Sequence, residues 1–252
     1  MVELPAPLVP VRVIFTKAKD AEAGCPVHIN MHGGGFVQKQ SEQDDLYCAH
    51  VAAEIHGIVV DIDYAVSLDH PFPMGFDQSY EITKLVAEQC AHWGGDPRKL
   101  SIGGHSAGGC LAAAIALKAA KTKDFQLCLQ VLDYAATESY SSVAKDDEIN
   151  FSKVFGLLYA DGDVELLKNP YVSPYYASDE ELIDQPKTVI VGPKMCPFYT
   201  VNIEFGRRLV EAGTEVNFKT FANSPHGFTI HLNGEWREAQ DYIIQAILDA
   251  SR

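Results

Sequence analysis

Apolar and polar positions along the chain follow two periods, one typical of buried strands and the other of amphipathic helices. Short apolar or β-branched runs predict strands at residues 11–15, 26–31, 58–62, 100–103, 125–132, 188–191 and 216–221. Helical spacing predicts helices at residues 44–56, 75–92, 107–121, 201–212 and 235–248. Because strands and helices alternate, we expect an α/β fold with a mostly parallel central sheet of about seven strands and helices on both faces.

The region at about 137–184 is the least regular part of this pattern, with short helical patches and a loop rich in Tyr and Pro. No internal repeat, low-complexity tract or linker interrupts the sequence. Its 252 residues, 47% of them hydrophobic and 21% charged, are enough for one globular core. We therefore expect a single domain over residues 1–252 with a small insertion at about 137–184.

Charge and targeting signals argue against several classes of function. The chain has 34 acidic and 20 basic residues, a formal net charge of −14, and no stripe of Lys and Arg. Because this excess repels phosphate, we expect no nucleic-acid partner and no membrane association. Residues 1–10 lack the features of a signal peptide, and the six scattered cysteines include no CxxC pair. We therefore expect a cytoplasmic protein with reduced thiols and, since its histidines lack metal-ligand spacing, no metal.

The sequence GHSAG at 104–108 is the strongest local chemical signal. It matches G-x-S-x-G and lies between a predicted strand and a predicted helix, which is the context of a nucleophile elbow. The flanking glycines allow close packing and a strained backbone at Ser106. The helix that starts at Ala107 directs amide donors to the same place. Taken alone, the pattern also fits an ordinary glycine-rich turn.

Two further motifs follow predicted strands. HGGGF at 32–36 has three consecutive glycines, so that the backbone N–H groups of Gly33 and Gly34 can bind an oxyanion together with that of Ala107. SPHGF at 224–228 follows the last predicted strand and offers His226 as the general base that a serine nucleophile needs. The alternatives are a flexible turn and a structural histidine. Both motifs follow strands, and ligands bind at the carboxyl ends of parallel strands. This position favours an oxyanion loop and a general base over the two alternatives.

These motifs occur together with Asp63-Tyr64, His70-Pro71-Phe72-Pro73 and Ser173-Pro174, spread over nearly the whole chain. In this combination the chain resembles the α/β-hydrolase fold, and specifically the hormone-sensitive-lipase-like esterases. The resemblance implies a serine carboxylesterase that hydrolyses small-molecule esters with short acyl chains, acetyl to butyryl, through an acyl-enzyme and without a cofactor. Acetylated carbohydrates and plant-derived esters fit this class. The roles that it implies are nucleophile for Ser106, base for His226 and oxyanion donors for Gly33, Gly34 and Ala107.

The chain departs from the family's pattern near its N-terminus. Only 31 residues precede His32, so we expect the helical cap of the family, and its first strand, to be largely missing. A reduced cap at about 137–184 then covers the pocket. Six aromatic residues either line an acyl or sugar pocket or pack the cap: Tyr159, Tyr171, Tyr175, Tyr176, Phe198 and Tyr199. The apolar surface that a missing cap leaves exposed leads us to expect a homodimer.

The second departure concerns the acid of the catalytic triad. The family places an Asp before a Pro at a position that is occupied here by Cys196. A neutral thiol does not orient and stabilise the imidazole as a carboxylate does, and loss of the carboxylate costs roughly 10⁴-fold in turnover. Three interpretations follow: an inactive binding protein on a hydrolase scaffold, a carboxylate supplied from elsewhere in the chain, or a weak Ser–His dyad.

We favour a carboxylate supplied from elsewhere, namely Asp133 at the end of the strand predicted at 125–132. From a neighbouring strand it can reach the same histidine, and the chain order Ser106, Asp133, His226 remains nucleophile, acid, base. The alternative for Asp133 is a capping residue at a strand end. Glu204 is our second choice, although it lies about two helical turns beyond Cys196. A catalytic thiolate or a redox switch is the remaining alternative for Cys196.

Overall fold

The computed structural model of the protein describes residues 1–39, 42–144 and 149–252. In these parts of the chain the strands are β1 Arg12–Lys17, β2 Cys25–Met31, β3 Ile58–Asp63, β4 Gly95–His105, β5 Leu129–Asp133, β6 Lys187–Pro193 and β7 Val216–Phe221. They form one seven-stranded sheet in the order β1-β3-β2-β4-β5-β6-β7. All neighbouring strands are parallel except β1, which runs antiparallel to β3. The predicted mostly parallel sheet is therefore confirmed.

Helices connect the strands in the order expected. Within the described residues they are α1 Glu42–Glu54, α2 Met74–Gln89, α3 Ala107–Thr122, α4 Tyr140–Ala144, α5 Phe151–Tyr159, α6 Tyr199–Glu211 and α7 Trp236–Ala250. Short 3₁₀ turns cover Cys90–Trp93, Glu165–Lys168 and Pro174–Tyr176. None of these helices has both the length and the apolar character needed to cross a membrane. The short helices α4 and α5 belong to the irregular region predicted at about 137–184.

Two strands begin more than two residues away from the predicted start. The strand predicted at 125–132 begins only at Leu129, where it first pairs with β4 on one side and β6 on the other. The strand predicted at 100–103 extends over Gly95–His105, because Gly95 pairs with β2 and His105 pairs with β5. Glycines at both ends of β4 weaken the strand pattern in the sequence, but pairing with two neighbours holds the extended backbone.

Alternate residues of the central strands face opposite sides of the sheet, and helices cover each side. On one side Val27, Ile29 and Met31 of β2 are fully buried in the larger core cluster, which includes residues of α2, α3 and α6. On the other side Val59 and Val131 pack into a smaller cluster with residues of α1 and α7. Helices on both faces are thus confirmed.

The side of the sheet that faces α1 and α7 also buries polar side chains. The Nδ1 atom of His28 lies 2.8 Å from Ser101 Oγ, and Asn30 Nδ2 donates to Asp61 Oδ1 at 2.7 Å. Burial raises the pKa of Asp61 to about 7, although the hydrogen bond from Asn30 opposes this shift. These pairs show that the face is partly polar.

Close packing of α3 against β2 brings two of the sequence motifs together. Gly108 lies in the first turn of α3, and a β-carbon there would collide with the carbonyl oxygen of Met31 at the end of β2. Only glycine allows this approach. The start of α3 is therefore held against the loop that follows β2, which carries HGGGF.

Candidate active site

Ser106 lies on a sharp turn between β4 and α3. Its φ of 53° and ψ of −111° place a residue with a side chain in a strained region of backbone conformations. Backbone hydrogen bonds hold this geometry. Ser106 N donates to the carbonyl oxygen of Asp133 at 3.0 Å, and Ala136 N donates to the carbonyl oxygen of Ser106 at 2.9 Å. The elbow predicted from GHSAG is present, and Ser106 lines a pocket.

The loop after β7 brings His226 to the nucleophile. Its Nε2 lies 3.1 Å from Ser106 Oγ, as the prediction requires. The rings of Tyr134 and Phe198 pack edge-on against the imidazole, with centroids at 4.8 and 5.5 Å. Burial, together with the neighbouring charge of His231, lowers the pKa of His226 to about 4. At neutral pH the imidazole is therefore uncharged and able to accept a proton.

Hydrogen bonds fix this loop on both sides of His226. Two residues before it, Ser224 Oγ donates to Glu235 Oε2 at 2.9 Å and accepts from Glu235 N at 2.9 Å. Three residues after it, Thr229 Oγ1 donates to Asp133 Oδ2 at 2.5 Å. Both anchors restrict the position of the imidazole above Ser106.

Cys196 occupies the other side of the imidazole. Its Sγ lies 3.1 Å from His226 Nδ1 and accepts a hydrogen bond from Phe198 N at 3.4 Å. Burial raises the pKa of the thiol to about 12, so that it stays protonated at neutral pH. Counting along the sequence had placed Cys196 at the position of the triad acid, and the structure confirms that position beside the histidine.

The prediction that Asp133 orients His226 is wrong. Asp133 is fully buried at the end of β5, but its Oδ2 accepts hydrogen bonds from His105 Nδ1 at 2.8 Å and from Thr229 Oγ1 at 2.5 Å. The physical reason is the register of the sheet. Asp133 pairs with His105 of β4, so that both side chains point to the same face and meet there.

His105 and Asp133 form a buried pair that the sequence reasoning missed. Burial lowers the pKa of His105, but the hydrogen bond and the charge of Asp133 outweigh it, so that the pKa is raised overall. Burial raises the pKa of Asp133, while the bonds from His105 and Thr229 oppose this shift. His105 lies between Gly104 and Ser106 in the motif, at the end of β4. Because Asp133 lies at the end of the next predicted strand, the two strand ends were the signal that could have suggested the pair.

No carboxylate of the described residues hydrogen-bonds to His226. Glu204, the second choice, lies on α6 and is bound by Arg207 at 2.6 Å, and its side chain is 41% exposed. Within residues 1–39, 42–144 and 149–252, no group of three or more His, Cys, Asp and Glu side chains could hold a metal ion. The histidine at the nucleophile therefore has the thiol of Cys196, rather than a carboxylate, beside its Nδ1 atom.

The glycine loop after β2 lies directly beside the elbow. A β-carbon on Gly33 would be 3.2 Å from the carbonyl oxygen of His105 and 3.6 Å from Ser106 Cβ. Gly34 has a φ of +114°, which residues with side chains rarely adopt, and it lines the same pocket as Ser106. Ala107, the first residue of α3, is fully buried next to the nucleophile. Of the three predicted oxyanion residues, Gly33 and Ala107 therefore lie beside Ser106, and Gly34 lines the same pocket.

A pocket of about 370 Å³ opens above Ser106. Five aromatic side chains line it, namely Phe36, Tyr134, Phe151, Phe155 and Phe198. The pocket is also lined by the polar residues Glu138, Ser139, Ser142 and Ser152. Phe198 belongs to the aromatic residues that the sequence offered for the acyl site. Phe151 and Phe155 of α5 are not among the aromatic residues predicted for the pocket, although short helical patches are predicted in this region.

Comparisons with known proteins find relatives in sequence and in fold. A family with the α/β-hydrolase fold matches residues 28–230. The esterase LipI of Mycobacterium tuberculosis is 29% identical over 232 residues, which cover 89% of this chain and 72% of LipI. Human hormone-sensitive lipase is 32% identical over 107 residues, which cover 42% of this chain and 10% of the lipase. Carboxyl esterase 2 of the fungus Tuber melanosporum superposes with a TM-score of 0.84 at 25% identity, covering 96% of this chain and 83% of that one.

Proposed function

This chain belongs to the α/β-hydrolase fold family, and we propose that it is a serine carboxylesterase acting on short-chain acyl esters through an acyl-enzyme. The observation that carries the proposal is the 3.1 Å contact between Ser106 Oγ and His226 Nε2 at a strained elbow. Relatives named as esterases support ester hydrolysis. An inactive binding protein, the alternative from the sequence, has no need of this alignment.

In the acylation step, Ser106 Oγ bonds to the carbonyl carbon of the ester while its proton moves to His226 Nε2. The carbonyl oxygen becomes an oxyanion, which the amides of Gly33, Gly34 and Ala107 stabilise. The imidazolium then gives its proton to the leaving alkoxide as the carbon–oxygen bond breaks. The products are a free alcohol and an acyl group esterified to Ser106.

In the deacylation step, a water molecule attacks the acyl carbon and His226 takes one of its protons. The second oxyanion uses the same amides, and Ser106 leaves with the proton from the imidazolium. The carboxylic acid is released and the free enzyme is restored. Both steps need only residues of this chain and water.

The size and shape of the pocket favour small acyl groups. Its volume of about 370 Å³ is near the lower end of ligand pockets, which span roughly 300–1,000 Å³. Gly35 lies against the ring of Phe155, so the α5 helix limits the space beside the oxyanion loop. We propose acetyl to butyryl esters as substrates. The polar lining at Glu138 and the neighbouring serines fits hydroxylated alcohols such as those of acetylated carbohydrates.

Turnover of p-nitrophenyl acetate, butyrate and octanoate tests the proposal. We expect the wild type to cleave acetate and butyrate faster than octanoate, and Ser106→Ala and His226→Ala to fall to background. The matched control is Ser178→Ala, which removes an exposed hydroxyl outside the pocket and keeps wild-type turnover. Wild-type turnover equal to that of Ser106→Ala with every ester would contradict the proposal.

A further inference from the structure

The imidazole of His226 has two nitrogen atoms, and catalysis requires a defined proton on each of them. To accept the proton of Ser106, Nε2 must be unprotonated, and in the neutral ring Nδ1 then carries the hydrogen. In the opposite tautomer Nε2–H points at Ser106 Oγ, 3.1 Å away, and the base is blocked. The partner of Nδ1 therefore decides what fraction of the molecules has the tautomer that can accept the proton of Ser106.

The partner of Nδ1 in this structure is Cys196 Sγ at 3.1 Å. The carboxylate that the sequence offered instead, Asp133, is committed to His105 and Thr229. Within the described residues, His226 makes side-chain hydrogen bonds only to Cys196 and Ser106. The thiol of Cys196 is therefore the side chain that can act on the Nδ1 end of the imidazole.

A thiol can act in either direction, as a weak donor or as a weak acceptor, and its surroundings decide between the two. Phe198 N donates to Cys196 Sγ at 3.4 Å, just before the first turn of α6. On the other side of the imidazole, the hydroxyl of Ser106 lies 3.1 Å from Nε2 and can donate to it, which leaves the hydrogen of the neutral ring on Nδ1, facing the sulfur. Cys196 is only 5% exposed, so water does not compete for its lone pairs. These contacts favour Sγ as an acceptor.

We propose that Cys196 is a positioning residue for His226, whose sulfur accepts a hydrogen bond from Nδ1–H and so selects the tautomer with a free Nε2. This inference rests on the proposed ester hydrolysis. During attack the Ser106 O–H bond breaks, the proton moves to Nε2, and Oγ bonds to the acyl carbon. The Nδ1 proton stays on the imidazole, and the thiol keeps its own proton throughout.

The proposal has a consequence for the pH dependence of the enzyme. A carboxylate stabilises the imidazolium and raises the pKa of the base, whereas a neutral sulfur does so only weakly. The side chains in contact with His226 are the hydroxyl of Ser106, the thiol of Cys196 and the rings of Tyr134 and Phe198, and none of them is a carboxylate. The imidazole of His231 acts on it only through its charge. We therefore expect a slow esterase whose base stays uncharged in mild acid.

The test compares Cys196→Ser, Cys196→Ala and Cys196→Asp with the wild type, using p-nitrophenyl acetate across the pH range. Cys196→Ser keeps an acceptor, and we expect kcat within about threefold of the wild type. Cys196→Ala removes it, and we expect kcat to fall roughly 5- to 20-fold at unchanged KM. Cys196→Asp raises kcat at least tenfold, and the acidic limb of kcat/KM moves up by about one pH unit or more.

Two further measurements separate positioning from a merely structural role. Nitrogen-15 NMR of the full chain reports the tautomer of His226 directly, and we expect the hydrogen on Nδ1 in the wild type and in Cys196→Ser. The matched control is Cys48→Ala, which removes a buried thiol of the same core cluster without touching His226. It is expected to lower stability while leaving the pH profile of kcat/KM unchanged.

Each outcome decides the proposal. Equal kcat and equal pH profiles for Cys196→Ala and the wild type would overturn it, while the loss of activity in Ser106→Ala would leave the esterase function standing. Equal losses in Cys196→Ser and Cys196→Ala would overturn the acceptor role of the sulfur. If the wild type shows no Ser106-dependent turnover, the proposed function fails, and a hydrogen on Nε2 in the NMR spectrum then overturns the positioning as well.

Discussion

Replacing Asp133 separates its structural role from the catalytic role that its sequence position predicts. The carboxylate is fully buried, and its Oδ2 accepts from His105 Nδ1 at 2.8 Å and from Thr229 Oγ1 at 2.5 Å. Asp133→Ala leaves both donors unpaired in the interior, and breaking such a buried pair costs about 3–5 kcal/mol. For a chain of this size each kcal/mol lowers Tm by roughly 2–4 °C, so we expect a fall of roughly 6–20 °C.

Asp133→Asn keeps the volume and one acceptor oxygen, so its loss of stability is smaller, about 1.5–3 kcal/mol for a bond to a charged group. It changes no atom that touches His226. We therefore expect kcat within about tenfold of the wild type, the residual loss coming from a looser Thr229 anchor, whereas loss of a triad acid costs roughly 10⁴-fold. Thermal unfolding by circular dichroism and p-nitrophenyl acetate turnover well below Tm measure the two effects.

The matched control is Asp61→Asn, which removes another buried carboxylate bonded to Asn30 at 2.7 Å. It should lower Tm and leave kcat unchanged, because Asp61 lies outside the pocket. A roughly 10⁴-fold fall in kcat for Asp133→Asn at unchanged Tm would refute the structural role. Asp133 would then act on His226, as the sequence predicts.

Three further predictions concern pH, the glycine loop and assembly. We expect kcat/KM to stay level from neutral pH into mild acid and to fall as the pH drops through about 4, where His226 becomes protonated. A midpoint of this fall above pH 6 would contradict the prediction. Gly35→Ala should lower kcat/KM by about 10- to 100-fold, because Gly35 has a φ of +60° and the new β-carbon would collide with Phe155. The control is Gly162→Ala, which has a similar φ of +78° but nothing within 4 Å of the new β-carbon. We still predict a homodimer, because the side chain of Phe151 beside the pocket is exposed and a second subunit could cover it. Sedimentation that shows only monomer at micromolar concentration would rule it out.

The local motifs predicted which side chains meet at the pocket, because each motif lies at the end of a strand. GHSAG begins in the last residues of β4, and HGGGF and SPHGF follow β2 and β7. The carboxyl ends of these strands lie at one edge of a parallel sheet. Three segments far apart in sequence therefore meet once the sheet forms. Local periodicity and turn chemistry carry this information, so the positions of Ser106 and His226 were accessible without a structure.

The partner of the histidine was not accessible in the same way, because it depends on strand register. The sequence placed Asp133 at a strand end, but the direction of its side chain follows from its pairing with His105. A shift of one residue would have pointed it to the opposite face. Counting located Cys196 beside the histidine, whereas the 3.1 Å contact of its sulfur with Nδ1 needed the structure.

Covalent labelling of Ser106 tests the central claim most directly. A fluorophosphonate reacts only with a serine whose hydroxyl is activated by a base, and intact-mass spectrometry counts the adducts on each chain. We predict one adduct on the wild type, none on Ser106→Ala, and strongly slowed labelling of His226→Ala, with the modified peptide containing residue 106. Absence of labelling on a folded wild-type chain, or equal labelling of Ser106→Ala, would contradict the assignment of Ser106 as the nucleophile of an esterase.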